Sequence, residues 1–137
     1  MSYRLREHTA DVAVEATAES LGGVFGAAAD GMAAAMADEI PDDVGARFEL
    51  SLEAESREAL LFDYLDRLIY ERDVREVLPV DNRAEVRAEE DRFTVEASAR
   101  GIPFDEVDGR DLKAVTYSEM VLEHRGGEWY AYVVFDV

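Results

Sequence analysis

Of the fourteen basic side chains in this chain of 137 residues thirteen are arginine, and the only lysine is Lys113, in the run Lys113-Ala114-Val115-Thr116-Tyr117. Arginine offers a planar fork that stays charged, whereas lysine offers a compact ammonium that acts as a point charge on phosphate or carboxylate. A composition that excludes lysine everywhere else makes Lys113 a candidate for chemistry that arginine cannot do; the alternative is leftover surface charge. Three further segments depart from simple patterning: Glu7-His8-Thr9-Ala10-Asp11, Leu61-Phe62-Asp63-Tyr64-Leu65 and Phe135-Asp136-Val137. His8 could merely bridge a turn, and Asp11 could cap the loop before the next strand. Asp63, on the polar flank of an otherwise buried helix, reads as an exposed or capping carboxylate. Asp136 resists such an explanation, because it is a charge at the end of an aromatic and β-branched strand, where a solvated terminus would normally fray.

Carboxylate-rich oxygen sites favour calcium or magnesium, and Asp11, Asp136 and the terminal carboxylate on Val137 would supply such oxygens. With 32 acidic residues some carboxylates meet by chance, so the spacing leaves both readings open. Nucleophilic catalysis has less support: no serine sits in a nucleophile elbow, and neither His8 nor His124 has a visible partner. Gly22-Gly23 lacks the strand, loop and lysine context of a phosphate-binding loop.

The elements that must position these residues follow from periodicity. Between residues 19 and 38, Leu21, Val24, Phe25, Ala28, Met32 and Met36 recur at helical spacing, with Thr17 as N-cap and Pro41 beyond the end. A second helix runs from Arg57 to about Arg72 on the stripe Leu61, Tyr64, Leu65, Leu68 and Ile69, capped by Ser56 and with Glu58 in its first turn. Strict alternation marks strands over residues 47–54, around Val12, Val14 and Ala16, and in a hairpin joining 84–88 to 93–99 through Glu90-Asp91. A last hairpin turns at Gly126-Gly127 between residues 116–125 and 128–137. These elements imply a single α+β domain over residues 1–137, with two helices on one face of a mostly antiparallel sheet of five to seven strands.

Register then relates the candidates. A two-residue loop puts Arg125 opposite Glu128, and hence Asp136 opposite Tyr117 and Val137 opposite Thr116. In that register Asp136, Tyr117, Val115 and Lys113 share a face, with Lys113 roughly 13 Å further along the strand. Without a bulge, a direct Lys113–Asp136 ion pair is out of reach, and the two groups flank a shared pocket.

Thirty-two acidic side chains against fourteen basic ones give a net charge of -18, yet 48% of residues are hydrophobic, so the chain is acidic and folded, not disordered. In molar salt the Debye length falls to about 3 Å and the self-repulsion is screened; acid excess with arginine in place of lysine therefore suggests an extreme halophile's cytoplasm. Direct nucleic-acid binding is not expected, since no basic stripe exists. The absence of cysteine excludes disulfides, thiolate metal sites and cysteine nucleophiles. No apolar leader or membrane-length run is present, so a soluble cytoplasmic protein is the expectation.

Taken in order, His8-Thr9-Ala10-Asp11, Leu60-Leu61-Phe62-Asp63-Tyr64-Leu65, Lys113-Ala114-Val115-Thr116-Tyr117 and Val134-Phe135-Asp136-Val137 resemble the signature of the archease family across the whole chain. The resemblance implies a non-catalytic helper of the GTP-dependent RNA ligase of tRNA splicing, which seals a 2′,3′-cyclic phosphate or 3′-phosphate to a 5′-hydroxyl. Such a helper promotes guanylylation of the ligase's active-site histidine, allows multiple turnover and broadens the nucleotides accepted. The resemblance also implies a divalent cation, usually calcium, with magnesium or manganese as other possibilities, on Asp11, Asp136 and the carbonyl or terminal carboxylate of Val137. It implies functional roles for Lys113, Asp11, Asp136 and His8. Ser118 stands where many members carry histidine, Tyr64 replaces a common tryptophan, and Val137 a common isoleucine. A general chaperone or RNA-modification partner, or a metal-dependent phosphohydrolase, would account for some of the same residues.

Overall fold

A computed structural model describes residues 1–8 and 11–137. Among them lie seven strands and two α-helices, in the order β1 (Ser2–His8), β2 (Asp11–Ala18), α1 (Leu21–Met36), β3 (Ala46–Ala54), α2 (Arg57–Arg75), β4 (Val77–Ala88), β5 (Phe93–Pro103), β6 (Ala114–Arg125) and β7 (Glu128–Asp136), with a 3-10 turn at Phe104–Glu106 between β5 and β6. The strands form one sheet in the order β1-β2-β7-β6 and a second in the order β3-β5-β4. Every pairing is antiparallel. This is the α+β class that the alternation implies, with the strands divided between two sheets.

The division follows from the helices, each of which packs on both sheets: α1 on β2 and β4, α2 on β6 and on all three strands of the smaller sheet. Helix α1 can do so because it is apolar and small almost all round, with Gly22, Val24, Phe25, Gly26, Ala27, Ala28, Ala29 and Gly31 all buried. On one side a Cβ at Gly22 would stand 2.4 Å from the Ala84 carbonyl oxygen; on the other, one at Gly31 would stand 2.5 Å from Val14 Cγ1. Gly22→Ala is therefore expected to destabilise the fold by about 1–3 kcal/mol through overpacking, even though alanine is the better helix former. Denaturant unfolding in molar KCl measures this, and an unchanged or raised midpoint would contradict the close approach of α1 to β4.

Helix α1 starts later than the spacing suggests. Ser20 is its N-cap, accepting from the Gly23 amide at 2.9 Å. Thr17, the predicted cap, remains in β2 opposite Tyr130, with its hydroxyl 2.8 Å from that of Ser2; strand pairing as far as Ala18 holds it extended. Helix α2 begins as expected, with the Ser56 hydroxyl accepting from Ala59. It continues past Arg72 to Arg75, where Glu76 closes it with φ 55°. Between the layers Tyr64, Phe25, Phe135, Leu60, Leu61, Leu65 and Leu68 are fully buried; each such aliphatic side chain contributes about 1.5–3 kcal/mol of burial.

One polar contact fixes the smaller sheet to α1. Pairing of β4 with β5 is irregular between Val80 and Arg83, and Asp81 there has φ 49°. Asp30 of α1 accepts from the Asn82 amide and from its side-chain Nδ2, both at 2.9 Å. Burial pushes the Asp30 carboxyl above its ordinary range, against these two hydrogen bonds.

Candidate functional site

The β6–β7 hairpin decides where the candidates meet. From Arg125↔Glu128 back to Val121↔Tyr132 the pairs follow the register set by Gly126-Gly127. Residues 117–120 then oppose Val133 alone, and pairing resumes at Thr116↔Val134, Val115↔Phe135 and Ala114↔Asp136. The expected pairs Asp136–Tyr117 and Val137–Thr116 are thus overturned by a bulge holding three extra residues. Two features accommodate it: Glu119 adopts φ 63°, and Tyr117 leaves the ladder to stack on Phe62 of α2, ring centroids 4.1 Å apart and planes within 5°.

Three residues of slippage move the start of β6 by about 10 Å, which removes most of the separation that a regular ladder would impose. The Lys113 amide donates to the Asp136 carbonyl at 2.8 Å, so the lone lysine sits beside the terminal acidic residue. The expected sharing of faces is corrected as well. Asp136 shares its face with Ala114 and Asp11, its partners on either side, while Val115 pairs with buried Phe135 on the core face, Tyr117 belongs to the α2 seam, and Lys113, one residue before the strand begins, meets Asp136 through its backbone amide.

Asp11 of β2 and Asp136 of β7 are direct cross-strand partners. Like charges placed opposite one another cost stability, and a cation between them reverses the sign, so these residues fit a hard divalent ion. Among the described residues no group of three or more His, Cys, Asp or Glu is placed to hold a metal, so these two aspartates do not by themselves make up a ligand set. Lys113 and Asp136 are exposed, Val137 is 47% exposed, and Asp11 is half-buried. His8 pairs with Asp11 through the backbone, but its side chain, with Thr9 and Ala10, lies outside the described residues.

The Leu61-to-Leu65 segment is brought to a different place. Tyr64 is fully buried and packs on Phe25 at 5.7 Å; burial raises its phenol far above the ordinary range. Half-buried Asp63 stands by the bulge, where burial first and then the Asp63 charge raise the Tyr117 phenol. Ser118 is exposed in the bulge itself.

Sequence reasoning missed Arg72. It is only 8% exposed, and its Nη1 donates to the Leu112 carbonyl at 2.8 Å, directly before Lys113. The signal was present, since Arg72 lies three, four and seven residues beyond Ile69, Leu68 and Leu65 and so falls on the buried stripe of α2. The segment leading to Lys113 is held again at the end of α1. Gly109 bridges to Ala37, the Arg110 amide donates to the Met36 carbonyl at 2.6 Å, and Arg110 pairs with Asp38 at 3.0 Å. The hydrogen-bonded guanidinium holds the Asp38 carboxyl below its ordinary range.

This architecture has relatives. A sequence model of the Archease protein family matches residues 3–137. Protein archease of Methanosarcina mazei is 34% identical over 139 residues, covering 98% of this chain and 95% of the relative, and protein archease of Pyrococcus furiosus is 25% identical over 96% and 95%. The solution structure of Methanobacterium thermoautotrophicum protein 1598 aligns over 99% of both chains with a TM-score of 0.87 at 25% identity. A crystal structure from Thermotoga maritima, titled an archease and possible chaperone, covers 96% of this chain and 94% of its own with a TM-score of 0.63 at 23% identity, and bears on the fold alone. From its amino-terminal strand to its final residue, the chain belongs to the archease family.

Proposed function

We propose that this protein activates the GTP-dependent RNA ligase of tRNA splicing by presenting the Lys113/Asp136 end of its larger sheet to the ligase's nucleotide site. The observation that carries this reading is the β6 bulge, which sets the only lysine beside Asp136, itself directly across the ladder from Asp11. Lys113 and Asp136 are exposed at a strand end, with Asp11 half-buried beside them, an arrangement suited to insertion into another protein's site. An ammonium placed against a triphosphate contributes by alignment and by preorganised charge, which needs no nucleophile on the helper. The protein is in this reading an accessory factor and not an enzyme.

Asp11, Asp136 and the main-chain carbonyl of Val137 would hold a divalent ion, calcium in the first instance, with magnesium or manganese as substitutes. When bound, that ion would add positive charge where the polyphosphate is aligned. Asp11 and Asp136 orient the site by their fixed cross-strand pairing, and Lys113 supplies a mobile charge on a fixed backbone. The net charge of -18 favours a basic protein surface as partner over RNA, in a cytoplasm of high salt.

The test is ligation of cleaved tRNA by the cognate ligase at sub-stoichiometric enzyme in molar KCl. Addition of this protein is expected to turn a single round into many. An unchanged number of turnovers would exclude the activator role. Phosphate release from a phosphoester without ligase would instead favour a hydrolase, and Lys113-independent protection of unrelated proteins from aggregation would favour a general chaperone.

A further inference from the structure

We propose that Arg72 is the positioning residue for Lys113: its buried guanidinium fixes the peptide unit from which the lysine side chain springs. This rests on the reading of Lys113 as the activating group. The Leu112–Lys113 peptide is held on both sides, its carbonyl accepting from Arg72 Nη1 at 2.8 Å and its N–H donating to the Asp136 carbonyl at 2.8 Å. A peptide group is planar, so two hydrogen bonds from opposite directions define its orientation and the place of the Lys113 Cα. Leu112 adds a third restraint, because its side chain is only 1% exposed.

Arg72 is itself held. Its Nε donates to Asp73 Oδ1 at 2.9 Å, Nη1 also lies 3.2 Å from Met36 Sδ, and Nη2 is 4.0 Å from Asp111 Oδ1. One side chain thereby ties the ends of both helices to the segment that precedes β6. Burial of a guanidinium is costly, and a well-packed apolar side chain in such a position is often neutral or stabilising. Leucine or methionine would continue the stripe of Leu61, Leu65, Leu68 and Ile69 without that cost. What an apolar residue cannot do is donate to the Leu112 carbonyl. The arginine is therefore explained by the geometry it imposes on the strand start, and the functional consequence is preorganisation of the ammonium's root.

Arg72→Met and Arg72→Gln test this with two readouts on the full chain in molar KCl. The first is amide hydrogen exchange, independent of any ligase. The Lys113 amide is expected to exchange about tenfold faster or more, with the core amides of Leu65 and Val133 unchanged. The second is the titration of ligase stimulation, in which the maximum is expected to fall about tenfold while the half-saturating concentration stays within twofold. Arg72→Lys, which keeps a donor on a long stem, should recover part of that maximum. Unchanged Lys113 exchange, or equal acceleration of all core amides, would overturn the clamp. Faster Lys113 exchange with full stimulation would overturn its link to activation. If the wild type itself fails to stimulate, the activator reading falls, and the exchange data alone still decide whether Arg72 holds Lys113. Gln is the second variant should Met not fold, since it retains a polar head but is too short to reach Leu112.

Discussion

Lys113→Ala is expected to abolish most of the stimulation of ligase turnover, by about a hundredfold if the ammonium acts as a preorganised charge on the reacting polyphosphate, while leaving stability within about 0.5 kcal/mol. The two halves of the expectation come from different facts. Lys113 is exposed and no core contact depends on its side chain, so truncation removes nothing from the fold. Its backbone is fixed by the Asp136 carbonyl and by Arg72 through Leu112, so the lost group is one whose place was defined in advance. Lys113→Arg separates charge from shape: a planar fork presents its charge differently from a point-like ammonium, and incomplete recovery by arginine is expected. Ligation assays at limiting enzyme, with denaturant unfolding of the same preparations, measure both quantities. Full stimulation by the alanine variant would remove Lys113 from the mechanism.

The second large effect concerns Asp136 and Asp11. Their cross-strand pairing sets two carboxylates on one face at the end of β2 and β7. An ion that binds only the folded protein stabilises it by RT ln(1 + [ion]/Kd), about 2.7 kcal/mol at a hundred times Kd. Calcium is thus expected to raise the unfolding free energy of the wild type by about that amount at saturation. Asp136→Asn or Asp11→Asn removes one negative charge from the pair, so either variant should lose nearly all of this increment. Without divalent ion Asp136→Asn should be no less stable than the wild type, because the like charge across the ladder from Asp11 has been relieved. Denaturant titrations of wild type and variants with calcium and with chelator, at constant molar KCl, give these values. Equal calcium stabilisation of wild type and Asp136→Asn would place the ion elsewhere, among the surface carboxylates.

How much of the site was legible can be judged residue by residue. The second helix from Arg57 to about Arg72, its Ser56 cap and the hairpin at Gly126-Gly127 were readable, because each depends on neighbours within a few positions; the last turn of that helix, to Arg75, was not. The first helix was readable in substance but not at its start, since the competition between Thr17 and Ser20 was settled by how far β2 pairs with β7. The four motif segments were visible as departures from pattern. The grouping of Lys113 with Asp11 and Asp136 at one end was also expected, but in the wrong register, and the other segment fell elsewhere, Tyr64 in the core and Asp63 by the bulge. Arg72 showed one overlooked mark, a charge on an apolar stripe, and nothing local said what it would hold.

By itself the sequence determined the class of fold, the folded yet highly acidic character, and the singularity of Lys113, because composition and short-range periodicity carry that information. Only the tertiary structure decided that the lysine's backbone adjoins Asp136. A regular ladder would have kept them about 13 Å apart, and the bulge that brings them together is accommodated by Tyr117 stacking on a ring from α2, far away in the chain, while Arg72 and Arg110 secure the segment that precedes β6. Such contacts between distant segments leave no period in the sequence, since their partners are chosen by packing and not by spacing.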